Sequence, residues 1–457
     1  MTVTPAEDAR PAETDGGDYD VIIIGAGISG IGAAYRLAES DPSTRYVILE
    51  RRDRVGGTWD LFRYPGVRSD SSIFTLSWPW EPWTGREYVA DGDVIRDYME
   101  DTAKKHGIFG HIRFHTTVVS TDWDSATDTW TVHAEENGVP MSYRGRFVFF
   151  GSGYYNYDEP YNPDFPGLDT FTGQVVHPQH WPEDLDYTGK NVVVIGSGAT
   201  AVSLVPALAR KAAHVTMLQR SPGYLLSMPR VNRWLQPVRK LLPNKASYTI
   251  VRTVALAFEK ITWVFARGLP GGMKKIVRWQ NTKQLPAGYP VDRDFKPRYN
   301  PWDQRLCLVA DGDVFTEISQ GRLEVVTDHI DHVDETGIAL KSGRHLDADI
   351  IVKATGLNLL ALGGVRISVD GAEVKPQDRF SYKAHMLEDV PNLIWCIGYT
   401  NASWTLRADI TARATAKLLD YMKAHGYTHA YPHPPAGPMP EKATWDLQSG
   451  YVQRNAH

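Results

Sequence analysis

The sequence predicts an α/β fold of two dinucleotide-binding, Rossmann-like domains interrupted by a helical insert. Three observations carry that prediction. An apolar strand enters a glycine-rich turn at residues 21–30, a second such unit occurs at 192–201, and helical periodicity runs through 231–278. A chain of 457 residues with 42% hydrophobic content can bury a large core divided among two or three domains.

The first unit, Val21-Ile-Ile-Ile-Gly25-Ala-Gly27-Ile-Ser29-Gly30, leads into a helical pattern at 31–37 and a second strand at 46–50. Gly25 permits the tight turn, Gly27 lets backbone approach a pyrophosphate, and Gly30 lets helix pack on strand. The helix N-terminus offers amide donors to the phosphates. Glu50 follows about 20 residues after Gly30, where a carboxylate accepts ribose hydroxyls. A lone G-x-G-x-x-G is often only a turn; strand, helix, second strand and terminal acid together specify a dinucleotide. Residues 112–119, 123–133 and 146–150 are expected to continue as a small sheet.

In the second unit, Asn191-Val-Val-Val-Ile-Gly196-Ser197-Gly198-Ala199-Thr200-Ala201, alanine takes the third glycine's place. Its next strand, 214–219, ends in Arg220-Ser221 and not in an acid. A carboxylate there would repel a 2′-phosphate, whereas a guanidinium grips it bidentately. The second site is therefore read as NADPH-specific, with a plain surface charge as the alternative for Arg220.

A net charge of −5 gives no basic footprint for nucleic acid, so no nucleic-acid partner is expected. Cys307 and Cys396 lack the spacing of a disulfide framework or zinc site, and His429 and His433 lie in a proline-rich tail, so no metal is expected. The first residues have no apolar core of a signal peptide and read as a disordered lead-in. Cytoplasmic localisation is the expectation.

The insert is locally basic. Residues 231–278 hold ten Lys or Arg against one acid, Glu259. The stretch 248–269 is too interrupted by charge for a transmembrane helix. Two readings remain, helices that cover the active site and shape substrate access, which is preferred, or a peripheral membrane contact through 231–278.

Between the two units, Phe171-x-Gly173-x-x-x-His177-x-x-x-Trp181-Pro182 resembles, without mismatch, the fingerprint of class B flavin monooxygenases of the Baeyer–Villiger type. Gly57-Thr58-Trp59-x4-Tyr64-Pro65-Gly66-x3-Asp70 resembles a second pattern of that family. Gly196-Ser-Gly-Ala-Thr-Ala201, Pro301-Trp-Asp-Gln-Arg305 and Gly398-Tyr-Thr-Asn-Ala-Ser-Trp404 point to its ethionamide-activating subgroup.

The resemblance implies FAD in the first site, held by Gly25, Gly27, Ser29, Gly30, Glu50, Gly57, Thr58, Trp59, Asp70 and Val118. Trp59 would pack on the flavin, and Asp70 would sit near its edge as a catalytic acid beside Arg305; a core aromatic and a helix N-cap are the alternatives. NADPH would rest on Gly196, Ser197, Gly198, Ala199, Thr200, Ala201, Arg220 and Ser221. Arg305 falls where the family carries its catalytic arginine, a permanent cation for a C4a-peroxyflavin anion and the adduct it forms. A salt bridge to Asp303 or Asp311 is its alternative. The family's preceding lysine is here Gln304, which leaves Arg220 as sole phosphate ligand. Phe171, Gly173, His177 and Trp181 would couple the two halves. Residues 349–358, with Ala354-Thr355-Gly356, would link back to the flavin half, whose last helix is expected at 406–425 behind Ser403.

The division expected is a lead-in at 1–18, FAD-binding domain at 19–155, linker and first NADP part at 156–226, insert at 227–299, second NADP part at 300–353 and second FAD part at 354–457. The function implied is conversion of ketones to esters or lactones with dioxygen, extending to sulfides or thioamides. An N- or S-oxygenating flavin monooxygenase and a non-catalytic flavin-binding protein are the alternatives, while a disulfide reductase lacks its cysteine pair.

Overall fold

The computed structural model describes residues 13–231, 233, 236–304, 306–399, 401–440 and 454. Its first sheet is organised around β1 (Thr14–Ile24), whose residues 21–24 are apolar and buried, as a strand covered on both faces requires. Helix α1 (Ile28–Ser40) crosses to β2 (Tyr46–Leu49), which pairs with β1 in parallel, giving the expected β-α-β unit. Short helices α2 (Thr58–Leu61) and α3 (Ile73–Leu76) and the longer α4 (Gly92–Lys105) follow.

The stretch expected as one strand at 112–119 is two, β3 (Ile112–Arg113) and β4 (Thr116–Asp124), separated by His115 at φ 55°. β4, β5 (Thr129–Glu136) and β6 (Val139–Phe150) form an antiparallel meander. They are not a separate small sheet. β6 pairs with β1 in parallel, which joins the meander to the nucleotide unit in one sheet. Thr14 and Asp15 pair there with Met141 and Ser142, so β1 begins inside the stretch read as a lead-in.

The second sheet is wholly parallel. It uses β7 (Gln174–Val176), β8 (Asn191–Ile195), β9 (His214–Gln219), β12 (Leu323–Thr327) and β16 (Ile350–Lys353) in the order β12-β9-β8-β16-β7. Helix α5 (Ala199–Leu208) connects β8 to β9. β10 (Leu225–Met228) and β11 (Cys307–Ala310) pair in parallel at the base of the insert, carrying the chain out to it and back. The insert is helical as expected, with α6 (Gln236–Leu241), α7 (Asn244–Gly268), α8 (Pro270–Gln284) and α9 (Val291–Asp294).

Helix α10 (Asp313–Ser319) precedes β12, and a small antiparallel sheet of β13 (Ile330–Asp334), β14 (Gly337–Leu340) and β15 (His345–Asp347) precedes β16. The chain then returns to the first sheet through β17 (Arg366–Val369) and β18 (Ala372–Val374) on the β4 side. After a minor pair, β19 (Ser381–Tyr382) and β20 (Met386–Leu387), strand β21 (Leu393–Trp395) pairs with β6. The last helix, α11 (Trp404–His425), starts before the expected Leu406 and packs on α1.

The third small position differs between the two units for a steric reason. A Cβ on Gly30 would lie 1.9 Å from the Gly25 carbonyl oxygen, whereas α5 accommodates Ala201 fully buried. Gly30→Ala is expected to cost at least the upper part of the about 1–3 kcal/mol usual for overpacking. Ala201→Gly should cost about 1 kcal/mol, the helix penalty of glycine. Urea midpoints of the two variants check the order; equal losses would contradict it.

Candidate active site

The C-terminal ends of β1 and β2 open on a cavity of about 370 Å³. Its wall contains Gly25, Gly27, Ser29, Glu50, Gly57, Thr58, Trp59, Asp70 and Val118, so all the residues expected at the first nucleotide except Gly30 are brought together. Gly30 stands behind the wall in the helix–strand contact. Helix α1 begins after Gly27 with no side-chain cap and no acid in its first turn, which leaves leading N–H groups open to an anion. Gly57 faces Gly27 at backbone range: a Cβ on Gly27 would be 3.7 Å from the Gly57 Cα. Glu50 is 5% exposed and accepts N–H bonds from Ala26 at 2.7 Å and Arg52 at 2.9 Å. Burial raises its pKa, against the pull of those two bonds. Bare backbone, open amides and a carboxylate at the strand end are a donor and acceptor set that fits an adenine dinucleotide.

Tyr154 and Tyr157 in the wall carried no sequence signal. Tyr157 is half-buried, desolvation of its hydroxyl pushes its pKa up to about 12, and the Arg51 guanidinium lies 5.5 Å from its ring centroid. Tyr154 stacks on Trp404 at 4.9 Å, and Trp404 Nε1 donates to Ser29 Oγ at 2.8 Å. The N-cap alternative for Asp70 is not realised, because Ser72 occupies that position and accepts from Phe74 N–H at 3.2 Å. Ser403 holds the cap position of α11 without a side-chain cap bond.

The opposite wall comes from the insert and its base. Leu226 and Met228 on β10, Phe258, Glu259 and Thr262 on α7, and Trp302, Leu306 and Leu308 all line the cavity. Glu259 accepts from Thr75 Oγ1 at 2.9 Å, and burial raises its pKa. Arg305 lies outside the described residues. Both carboxylates weighed as its partners have other donors, Asp303 taking Arg267 Nη1 at 3.0 Å and Asp311 taking the Arg230 N–H at 2.9 Å.

Residues 57–70 act as a strap between the halves. Trp59 lines the first cavity and also a second cleft of about 650 Å³ that Trp181 borders. Leu61, Phe62 and Tyr64 are buried in the core of the second sheet, and Tyr64 shares a 3.2 Å hydrogen bond with Ser203 on α5. Arg68 forms an ion pair with Asp313 on α10.

The second nucleotide turn is assembled apart from both cavities, since none of its expected residues lines either. Gly196 has φ 138°, a conformation closed to residues with a Cβ. Because β8 and β9 pair in parallel, Gly196–Gly198 and Arg220–Ser221 emerge at the same sheet end. Ser197 Oγ ties them, donating to the Ser221 carbonyl at 3.3 Å. Like α1, α5 lacks a side-chain cap and an acid in its first turn. Ala199 and Thr200 open it, and Arg220 is exposed.

The fingerprint sits on the edge of this sheet. Gly173 is pressed to backbone, its Cβ direction ending 2.3 Å from the Asp349 carbonyl oxygen; Phe171 and Trp181 pack on different clusters of the second half. His177 Nδ1 accepts from Gln179 N–H at 3.1 Å, and burial, aided by His180, lowers its pKa to about 4 from 6.5. Between those values the unfolded chain binds the extra proton, so stability present above pH 6.5 is lost as pH falls toward 4. His177→Asn keeps a capping acceptor without the titration. Urea midpoints at about pH 7.5 and about pH 5 should fall less for that variant than for the parent; an equal fall would refute the assignment.

Comparison with known proteins agrees with this geometry. Residues 84–361 match the family described as flavin-binding monooxygenase-like, and residues 23–86 match an NAD(P)-binding Rossmann-like domain. The chain is 48% identical over 437 residues to the FAD-containing monooxygenase EthA of Mycobacterium tuberculosis, covering 95% of this chain and 89% of that one. Identity to the EthA of Mycolicibacterium smegmatis is 47% with the same coverage. Oxidized steroid monooxygenase bound to NADP shares the fold with TM-score 0.75 at 25% identity, over 91% of this chain and 88% of that one. Cyclohexanone monooxygenase from Rhodococcus sp. Phi1 bound to NADP+ agrees in fold at TM-score 0.75 and 22% identity, over 92% and 87%. A likeness that runs through both glycine turns and nearly the whole length makes this chain a member of the flavin-binding monooxygenase-like family.

Proposed function

We propose that the chain is an FAD- and NADPH-dependent monooxygenase that converts ketones to esters or lactones, and that it also oxygenates sulfides or thioamides. The observation that carries this reading is the single cavity whose one wall is the first nucleotide turn and whose other wall is the insert, where a small substrate and a flavin ring would meet. The relatives support it: EthA is named an FAD-containing monooxygenase, and the steroid monooxygenase neighbour is described as bound to NADP. FAD, once bound and reduced by NADPH, supplies the activation of dioxygen.

The protein's own residues take definite parts. With FAD bound, the α1 amides with Gly27 and Gly57 would receive the pyrophosphate, Glu50 the ribose, Trp59 and Asp70 would serve the flavin end, and Val118 would serve the adenine. Arg220 and Ser221 hold the 2′-phosphate, with neutral Gln304 adding no charge. Arg305 stabilises the negative charge that develops on oxygen during transfer. The domain boundaries given by the sequence, with the first domain beginning at β1, are part of the same proposal, supported by β1–β6 sharing one sheet with β17, β18 and β21, and β7–β9 sharing the other with β12 and β16.

The reading is tested by mass spectrometry of products from a ketone and a sulfide panel under labelled dioxygen with NADPH. One labelled oxygen in an ester or lactone is expected; label in sulfoxide alone would favour the N- or S-oxygenating alternative. In the same assay Arg305→Ala should still reduce its flavin while product formation falls roughly 100-fold or more, as for a lost oxyanion donor. Normal product yield would remove Arg305 from the chemistry. Arg220→Ala should lower the NADPH to NADH preference in kcat/KM by about tenfold or more, the worth of a charge-assisted pair. A preference left intact would reassign Arg220 to the surface.

A further inference from the structure

Helix α7 has two apolar faces, and only one is covered. Tyr248, Val251 and Ala255 are buried in the core of the first sheet, and Glu259 and Thr262 face the cavity. Beside that face Ile250, Val254, Phe258 and Ile261 are 42%, 45%, 46% and 66% exposed, at spacings that align on one helical stripe. Helix α8 adds Ile276 and Trp279, 47% and 63% exposed. An apolar surface of this extent on a water-facing helix marks a contact with something else.

Charge says what that is. The span 236–284 carries Arg239, Lys240, Lys245, Arg252, Lys260, Arg267, Lys274, Lys275, Arg278 and Lys283 against one acid, Glu259, which lines the cavity. Arg252 donates to backbone carbonyls of Phe74 and Ser77, while Arg267 and Arg278 pair with Asp303 and Asp292. Lys245, Lys260, Lys275 and Lys283 are exposed. The whole chain has a net charge of −5, so this basic surface is local. A second copy meeting the same face would set lysines against lysines. A surface that is apolar within and anionic at its rim is complementary to both features.

We propose that α7 and α8 dock the protein in the plane of a membrane surface rich in anionic lipid. No helix among the described residues is long and apolar enough to cross a bilayer, so the contact is interfacial. Apolar side chains enter the acyl boundary and lysines meet the headgroups. Phe258 belongs both to the exposed stripe and to the cavity wall, so docking sets the cavity beside the lipid.

The test is co-sedimentation of the full chain with phosphatidylcholine vesicles and with mixed phosphatidylcholine–phosphatidylglycerol vesicles, at low and physiological salt. The protein should pellet with the mixed vesicles, at least about tenfold less with phosphatidylcholine alone, and less as salt rises. Ile250→Asp/Ile261→Asp and, separately, Lys245→Glu/Lys260→Glu should each abolish pelleting while their thermal midpoints match the parent. Protein that stays in solution with both vesicles, or variants that pellet like the parent, would overturn the proposal. So would a dimer that the Ile250→Asp/Ile261→Asp variant dissociates without any vesicle binding, because a second copy would then own the face.

Discussion

Asp60 has no exposed surface, yet its carboxylate is held by two guanidinium groups, Arg52 and Arg63, each at 2.6 Å. A carboxylate at that depth persists only with partners of this kind, and loss of either arginine would strand it. The pair fixes more than local geometry. Arg52 lies just beyond β2, past Glu50, and Arg63 sits within the stretch Leu61–Tyr64 that enters the second core. Held between them, α2 sets Gly57 against Gly27 and Trp59 in the wall of both cavities. Its continuation buries Leu61, Phe62 and Tyr64 in the other half. The first nucleotide cradle and the seating of one half on the other thus depend on the same buried ion cluster.

Around that frame the two halves repeat one solution and then diverge. Both crossover helices begin on a glycine without a side-chain cap and without an acid in the first turn, an arrangement that leaves donors unsatisfied until an anion arrives. In the first half the next strand delivers a buried carboxylate to the turn; in the second it delivers an exposed arginine. The same backbone thus ends in opposite charge at one strand end, which is the basis of the proposed choice between ribose hydroxyl and phosphate.

How much of this was legible follows from the range of the signals. Both turns, their strands and the insert's helices could be read because glycine spacing and apolar periodicity are local. The nine first-site residues that share a cavity came from such patterns together with a family resemblance. What escaped depends on long-range pairing. Nothing local says that β6 lies beside β1, so the meander looked like a small sheet of its own, and His115 broke a strand whose alternation was intact. Tyr157 and Glu259 acquire their importance from partners far away in sequence. Glu259 was visible as the lone acid of a basic insert, but its place in the cavity wall needed the packing of α7 on α3.

The fingerprint at 171–181 gains a physical route between the halves from this packing. His177 is kept neutral by burial, and only a neutral ring can accept at Nδ1 the N–H of Gln179. Gln179, 2% exposed, then donates its side-chain amide to the carbonyls of Asn156 at 2.9 Å and Tyr157 at 3.0 Å. Tyr157 lines the first cavity, and a Cβ on Gly57 would stand 3.4 Å from its hydroxyl. The edge strand of the second sheet is thereby linked through one imidazole and one amide to the cradle of the first. Displacement of β7 must either carry the Tyr157 wall with it or break the Gln179 bonds, which makes Gln179 the mechanical contact and His177 the residue that positions it.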